Sequence, residues 1–132
     1  MSKRRRAREI AFTLLFQMEI KDLWVISDHT ETLQKLVKGD AYIEDYARSI
    51  IEKFLNDKER IDRLISQFSK NWTFDRISVV DKSILRMSIT EFYLTTPKTA
   101  VINEALEIAD KYGEKDSKSY INGLLDTISL NL

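Results

Sequence analysis

The sequence predicts an all-α protein, and three observations support this prediction. Its 132 residues include only three glycines and one proline, so few positions interrupt a helix. Apolar residues recur at steps of three and four along the long segments, which is the helical period. A chain of this length can bury the core of one ordinary domain. We therefore expect one domain over residues 1–132, with about six to seven helices.

The first predicted helix begins in an arginine-rich stretch, KRRRAREIAFTLLFQME at residues 3–19. Its core-facing residues lie within about one third of the helix circumference. They are Ala7, Ile10, Ala11, Leu14, Leu15 and Met18. Phe12 and Phe16 fall outside this stripe. We expect the two rings to pack against a further helix, and a stacking platform for bases is the alternative.

After Lys21 the apolar pattern breaks, and the sequence predicts an irregular connection with one short helix before Gly39. Two apolar stripes follow in close succession, one between Ala41 and Asn56 and one behind it. Together they predict a helical hairpin packed against the first helix. Their members are Ile43, Tyr46, Ala47, Ile50, Ile51 and Phe54, then Ile61, Leu64, Ile65 and Phe68.

A long helix is predicted next, with Asp75 as its N-cap after Phe74 and with its end near Thr95. Its apolar side consists of Val79, Val80, Ile84, Met87, Ser88 and Phe92. Thr96 followed by Pro97 predicts another helix start, because a capping hydroxyl and a residue without an N–H both suit that terminus.

The last two helices are separated by Gly113, a typical residue at a helix end. Asp116 or Ser117 is the predicted cap of the final helix. Gly123 inside that helix costs about 1 kcal/mol relative to alanine, so we expect close helix packing there. The two apolar stripes are Ala100, Val101, Ala105, Ile108, Ala109 and Tyr112, then Tyr120, Ile121, Leu124, Leu125 and Ile128.

The composition limits the possible chemistry. Without cysteine there are no disulfides, thiolate metal sites or cysteine nucleophiles. The single histidine, His29, has no second ligand nearby, and we expect it to lie on the surface. No phosphate-binding loop, zinc spacing or nucleophile motif occurs, so we expect no enzyme, cofactor or metal. No apolar run approaches the roughly 20 residues that span a bilayer. A soluble, unprocessed, cytoplasmic protein is expected.

Charge is unevenly distributed although 21 basic residues balance 21 acidic ones. Five cationic side chains precede the first acid, Glu9: Lys3, Arg4, Arg5, Arg6 and Arg8. They could solubilise a helix start, attract anionic lipid or bind nucleic acid. Membrane binding is disfavoured, because the core needs the apolar face of residues 7–18. Arginines neutralise phosphates and stack on unpaired bases, which suits single-stranded RNA.

Four stretches in this order carry a family resemblance: RRRARE at 4–9, VDKSILRMSITE at 80–91, AVINEALEIADKYG at 100–113 and DSKSYINGLLD at 116–126. Through them the chain resembles the NusB family of bacterial transcription antitermination factors over nearly its whole length. The resemblance implies an all-helical fold of two small bundles packed at a steep angle. The amino-terminal bundle would cover about residues 1–70 and the carboxy-terminal bundle about 71–132.

The resemblance also implies partners and a function without catalysis. NusB proteins bind the boxA element of nascent ribosomal RNA leader transcripts together with NusE, a small-subunit ribosomal protein. The pair helps load an antitermination complex onto RNA polymerase. Some relatives self-associate through the region that meets RNA, so both a monomer and a homodimer remain open. The rival function is a purely protein-binding helical module, similar to the NusB-like domain that precedes some ribosomal RNA methyltransferases. The full enzyme is not expected, because no residues remain for a cofactor-binding α/β domain.

Two groups of residues match the RNA surface of the family. The first is the arginine-rich start, with Lys3 extending it in charge only, and the second is the start of the last helix. These residues are Lys3, Arg4, Arg5, Arg6 and Arg8, and then Asp116, Ser117, Lys118 and Tyr120. A helix amino terminus offers N–H groups to phosphate, and a tyrosine ring offers a stacking surface. Asp116 would hydrogen-bond a base edge or cap the helix.

The long helix after Asp75 matches the NusE-binding face of the family, which implies partner contacts from Asp81, Arg86 and Glu91. Solvent-exposed charges or internal ion pairs are the alternative for these three residues. Other polar residues of the matching stretches are expected to be structural. They are Asn103, Glu104 and Asn122.

Overall fold

The computed structural model describes residues 2–94 and 97–132, and every regular element in these two ranges is helical. The prediction of an all-α fold is confirmed. The α-helices of the described residues are α1 (Lys3–Lys21), α2 (Thr30–Val37), α3 (Ala41–Phe68), α4 (Val79–Phe92), α5 (Lys98–Tyr112) and α6 (Ser117–Leu130). Two 3₁₀ turns, Ile26–His29 and Phe74–Arg76, precede α2 and α4. No described helix is long and apolar enough to cross a membrane.

Helix α4 is the most enclosed element. It packs against α1, α3, α5 and α6, and residues 82–92 are all buried, polar ones included. A helix surrounded on all sides has no solvent face, so its polar residues must pair inside the protein. The predicted apolar side of α4 is therefore only part of what it buries.

Helix α1 buries its predicted core face completely and packs against α3 and α4. Phe12, outside that face, is also buried, and its ring lies 5.2 Å from the ring of Tyr112 on α5. The expected contact of Phe12 with a further helix is confirmed. Phe16 is partly buried, 6.5 Å from Phe12 between ring centres.

The predicted helical hairpin is wrong. Residues 41–68 form one helix of 28 residues with a single non-helical residue, Asp57, at φ −113° and ψ 15°. No glycine or proline is present to reverse the chain there, so the helix only bends. Lys53 and Arg60 lie 2.9 and 3.0 Å from the Asp57 carboxylate at this bend. Both apolar stripes consequently belong to α3.

The predicted N-cap of α4 is also wrong. Asp75 lies in the 3₁₀ turn, and the Ser78 hydroxyl accepts a hydrogen bond from the Asp81 N–H at 3.1 Å. Serine and aspartate cap helices about equally well, so the sequence pattern did not discriminate between them. Helix α4 ends at Phe92, and the predicted features at residues 95 and 96 lie outside the described residues. Pro97 is the N-cap of α5 rather than its first residue.

The two glycines near α6 differ in role from their predictions. Gly113 does end α5, but in extended backbone, and it is needed because a Cβ there would lie 2.6 Å from the Ser117 Cβ. Gly123 is exposed, and a Cβ would meet nothing within 4 Å, so the predicted close packing is wrong. Asp116 occupies the N-cap of α6 without a side-chain capping bond, while the Ser117 hydroxyl accepts from the Glu114 N–H at 2.9 Å.

His29 is buried, contrary to the predicted surface position. Its Nε2 donates to the Leu23 carbonyl at 2.8 Å, so its Nδ1 accepts from the Gln17 amide at 2.8 Å. The imidazole thus ties the connection after α1 back onto α1. A buried ring with both nitrogens satisfied is a structural residue.

Candidate nucleic-acid interface

The first turn of α1 carries the cationic residues, and Ser2 caps it. The Ser2 hydroxyl accepts from the Arg5 N–H at 3.1 Å, which fixes where the helix begins. The Arg6 N–H donates to the Ser2 carbonyl at 3.0 Å, and the N–H groups of Lys3 and Arg4 have no partner within the helix. The four arginines that follow have different surroundings, and this difference decides which of them can meet a ligand.

Arg8 lies inside the protein with only 4% of its surface exposed. Its Nε donates to both Glu91 carboxylate oxygens, at 2.7 and 2.8 Å, and the Tyr46 hydroxyl donates to the same carboxylate at 2.6 Å. Glu91 is fully buried in α4. Arg8 was predicted to contact RNA, but in this structure its charge holds α1 against α4.

Two exposed cations of the first turn are paired with acids. Arg5 donates to both oxygens of Glu104 on α5, at 2.9 and 3.1 Å, and this bond raises the pKa of Arg5. Lys3 lies 3.0 Å from Asp40, the N-cap of α3. The pKa of Asp40 is lowered first by the Ile43 N–H and then by Lys3. Both cations remain open to solvent on their outer sides.

Arg4 and Arg6 form no ion pair with any described residue. The Arg4 guanidinium lies 4.8 Å from the centre of the Tyr46 ring, and a hydrogen bond with Tyr42 is the main cause of its raised pKa. Arg6 donates to the Leu36 carbonyl at 3.4 Å, and its charge helps to lower the pKa of Glu9 without forming an ion pair. The positive field of the first turn therefore comes chiefly from these two side chains.

Glu9 joins this turn to α5. Its carboxylate accepts from Lys111 at 2.8 Å and from the Tyr112 hydroxyl at 2.6 Å. Burial alone would raise the pKa of Glu9, but these two hydrogen bonds more than offset it, so the pKa is lowered. The pKa of Tyr112 is raised first by the bond to Glu9 and then by burial. Helix α5 is thus fastened along the cationic end of α1.

The start of α6 is attached to the same end of α5, because Lys118 lies 3.5 Å from Asp110. Arg5 pairs with α5 at Glu104, so the two predicted RNA groups are anchored six residues apart, about 9 Å along a helix. Asp116 and Lys118 are exposed, Ser117 is buried. Both groups therefore border the same helix, α5.

Tyr120 stands at the edge of this surface, partly buried. Its hydroxyl lies 2.7 Å from the Ser69 hydroxyl in the segment after α3. Burial is the main cause of the raised pKa of Tyr120. The Tyr120 side chain lines an open groove next to α6. The aromatic group predicted to stack on a base is therefore held in place by a buried serine.

The three residues predicted to bind a partner are not equally accessible. Asp81 is partly buried, its pKa is raised mainly by burial, and its Oδ1 is enclosed without a hydrogen bond from the described residues. Arg86 is almost wholly buried and donates to Asp62 at 2.8 and 3.0 Å, with Glu19 at 3.6 Å. The structure thus favours the internal ion pairs that the sequence left as an alternative for Arg86 and Glu91. Their partner contact stays a prediction.

The sequence marked Glu104 as a structural residue, but it did not show which acids pair with which arginines. Arg5 is 99 positions from its partner Glu104, and Arg86 is 67 and 24 positions from Glu19 and Asp62. Such separations do not follow from helical spacing, so the sequence pattern could not predict the pairs. Sequence analysis also missed Trp72, an exposed ring beside the groove next to Tyr120. A lone tryptophan in a polar stretch was the only signal for that residue.

Together the fold and this surface define a class: an all-α protein that presents a cationic helix start beside a second helix start. The chain belongs to the NusB family, whose family model matches residues 5–129. The transcription antitermination protein NusB of Geotalea daltonii is 34% identical over all of this chain and 97% of its own length. That of Bacillus mycoides is 38% identical over 96% of each chain.

Solved structures agree with this assignment. NusB of T. maritima superposes with a TM-score of 0.88 at 32% identity, covering 98% of this chain and 92% of that one. A crystal structure of the antitermination factors NusB and NusE in complex with dsRNA matches with a TM-score of 0.85 at 20% identity, over 100% of this chain and 99% of the other. At 20% identity the second match shows only that the two folds are alike.

Proposed function

We propose that this protein is a transcription antitermination factor that binds the boxA element of nascent ribosomal RNA leader transcripts. It binds together with NusE and helps load the antitermination complex on RNA polymerase. The observation that carries the proposal is the first turn of α1, where Arg4 and Arg6 form no ion pair with a described acid. The names of the relatives support the same function.

Phosphate binding is assigned to the first turn of α1. Arg4 and Arg6 neutralise phosphates directly, while Lys3 and Arg5 offer their outer sides. Phosphate contacts position the RNA but carry no sequence information. Arg8 contributes by fixing α1 on α4 through Glu91.

Base recognition is assigned to the start of α6. The Tyr120 ring offers a stacking surface, Asp116 accepts hydrogen bonds from a base edge, and Lys118 adds charge. Ser117 is buried, so its part is to shape the turn between α5 and α6. Specificity for an unpaired element then comes from base edges and stacking.

The NusE contact is assigned to the start of α4, with the partly buried Asp81 as its most accessible member. Arg86 and Glu91 support that face from inside by holding α4 between α1 and α3. We further propose that residues 1–132 act as one unit. Its amino-terminal bundle covers about residues 1–70 and its carboxy-terminal bundle about 71–132, and α4 packs against helices of both. The protein works in the cytoplasm and turns over no substrate.

Fluorescence anisotropy of a labelled boxA-like RNA and a scrambled RNA tests the proposal, with and without NusE. The informative variant is Arg4→Ala/Arg6→Ala, because both side chains lack ion pairs and their loss leaves no buried charge behind. The matched control is Lys21→Ala/Arg63→Ala, which removes two exposed cations elsewhere.

We expect NusE to tighten binding to the boxA-like RNA only, the Arg4/Arg6 variant to lose that affinity, and the control to keep it. Equal, weak binding of both RNAs, unchanged in the variant, would instead assign the chain to the protein-binding helical modules.

A further inference from the structure

A groove of about 520 Å³ separates the segment after α3 from the exposed side of α6. Lys70 and Trp72 stand on one side, and Asp116, Tyr120 and Gly123 stand on the other. Asp116 and Tyr120 also belong to the RNA surface proposed above, so the groove continues that surface. Its volume is within the range of sites that hold a small organic ring system.

Trp72 is the unusual residue of this groove, because 52% of its surface is exposed. No ring contact, cation or hydrogen-bond acceptor among residues 2–94 and 97–132 engages its indole. The other tryptophan of the chain, Trp24, packs on Phe54 and lies under Lys58 and Arg86. An exposed, unengaged aromatic ring beside a groove is typical of a binding surface.

A chain of hydroxyl groups fixes the two aromatic walls relative to each other. The buried Ser69 hydroxyl donates to the Trp72 carbonyl at 3.0 Å, which uses its single proton. The Tyr120 hydroxyl, 2.7 Å away, must therefore donate to Ser69. The groove is thus held open by specific bonds between the segment after α3 and α6.

Gly123 leaves part of the α6 wall without a side chain. It lies in mid-helix with ordinary helical backbone, and a Cβ there would meet no atom within 4 Å. Neither backbone conformation nor helix packing requires a glycine at this position. Because Gly123 has no side chain, a planar ligand has room to enter the groove.

We propose that this groove binds one unpaired nucleobase of the RNA, stacked on the Trp72 indole. The inference rests on the proposed RNA-binding function and adds a site to it. A base fits because the groove combines an aromatic wall with polar groups: the Asp116 carboxylate accepts from a base edge, and Lys70 at the rim takes the adjoining phosphate. Trp72 and Gly123 are then binding determinants of this family member.

Substitutions at Gly123 separate binding from folding. Gly123→Gln fills the groove while replacing glycine with a better helix former, so its melting temperature should rise as RNA affinity falls by about tenfold or more. Asn122→Gln is the matched control, because Asn122 is exposed on α6 and does not line the groove; it should also stabilise the helix and leave the affinity unchanged. Trp72→Ala should weaken binding between about 5-fold and 150-fold, and Trp72→Phe much less.

The position of the base is tested with single-stranded boxA-like RNAs that each carry one abasic nucleotide. At one position the abasic RNA should bind the wild-type protein more weakly, yet bind Trp72→Ala no more weakly than the intact RNA does. The intact RNA should also quench tryptophan fluorescence in the wild type and not in Trp72→Phe.

If Gly123→Gln and Trp72→Ala bind like the wild type while Arg4→Ala/Arg6→Ala loses RNA, the groove is not a base site and the proposed function stands. If the wild type binds no RNA at all, both proposals fall.

Discussion

The first turn of α1 and the middle of α4 are both rich in charge, yet they use it in opposite ways. In the first turn Arg4 and Arg6 lie toward solvent without an acidic partner among the described residues. In α4 Arg86 and Glu91 are buried, and each forms charge-assisted hydrogen bonds across a helix boundary. Similar residue types are thus open to a ligand in one place and hold helices together in the other.

Arg8 shows where the boundary between the two regions falls. It is part of the arginine-rich stretch, but one helical turn beyond Arg4 it faces α4 and is enclosed. A run of arginines along a helix necessarily faces several directions, because each residue turns by about 100°. Only the members that face outward keep charge for a phosphate.

The largest expected effect lies in the buried region. Glu91→Ala leaves Arg8 buried without its carboxylate, so the free energy of unfolding should fall by about 3–5 kcal/mol. Urea denaturation followed by circular dichroism measures it. The double variant Arg8→Met/Glu91→Leu removes both charges and should recover most of the loss. A loss below about 1 kcal/mol in Glu91→Ala would show that this pair is not structural.

The next largest expected effect is a loss of stability at low pH, when the contact between α1 and α5 through Glu9 is weakened. Because the pKa of Glu9 is lower in the folded protein than its ordinary value of 4.5, ionised Glu9 stabilises the fold above that pH. This stabilisation is lost as the pH falls through the folded pKa. Tyr112→Phe removes one bond to Glu9 and should cost about 1 kcal/mol at pH 7, since Tyr112 is 41% exposed.

The difference in unfolding free energy between the wild type and Tyr112→Phe should shrink as the pH is lowered toward 3. Thermal melts at several pH values measure that difference. A difference that stays constant from pH 7 to pH 3 would mean that the hydroxyl does not act through ionised Glu9.

The fold was largely predictable because the apolar residues of most segments recur with the helical period. Core positions of α1 and α6 follow from spacing alone. The bend at Asp57 was not predictable, since two stripes in succession look the same whether the chain reverses or only kinks. Nor was the buried His29, whose partners are Gln17 in α1 and Leu23 in the connection after it.

The candidate site was predictable only as a set of residue types. The sequence shows which side chains are cationic, but pairing depends on contacts across the fold, such as Arg5 with Glu104. Trp72 required the structure, because its significance comes from the groove it shares with Tyr120 and Gly123.

The smallest expected effect on stability belongs to the exposed region. Arg4→Ala and Arg6→Ala should each change the free energy of unfolding by about 0.5 kcal/mol or less, because neither side chain forms an ion pair with a described acid, and the buried acids Glu9 and Glu91 keep hydrogen-bonded cations. Urea denaturation of both single variants measures it. If either variant lost as much free energy of unfolding as Glu91→Ala, the arginines of the first turn would be structural, like those of the buried region.

The most direct test of that distinction is the salt dependence of RNA affinity in the wild type, in Arg4→Ala/Arg6→Ala and in the control Lys21→Ala/Arg63→Ala. Each phosphate contact on a single strand contributes about 0.7 to the log–log slope, so the Arg4/Arg6 variant should be shallower by about 1.4. The control should retain the wild-type slope. Identical slopes in all three proteins would contradict the assignment of phosphate binding to the first turn of α1.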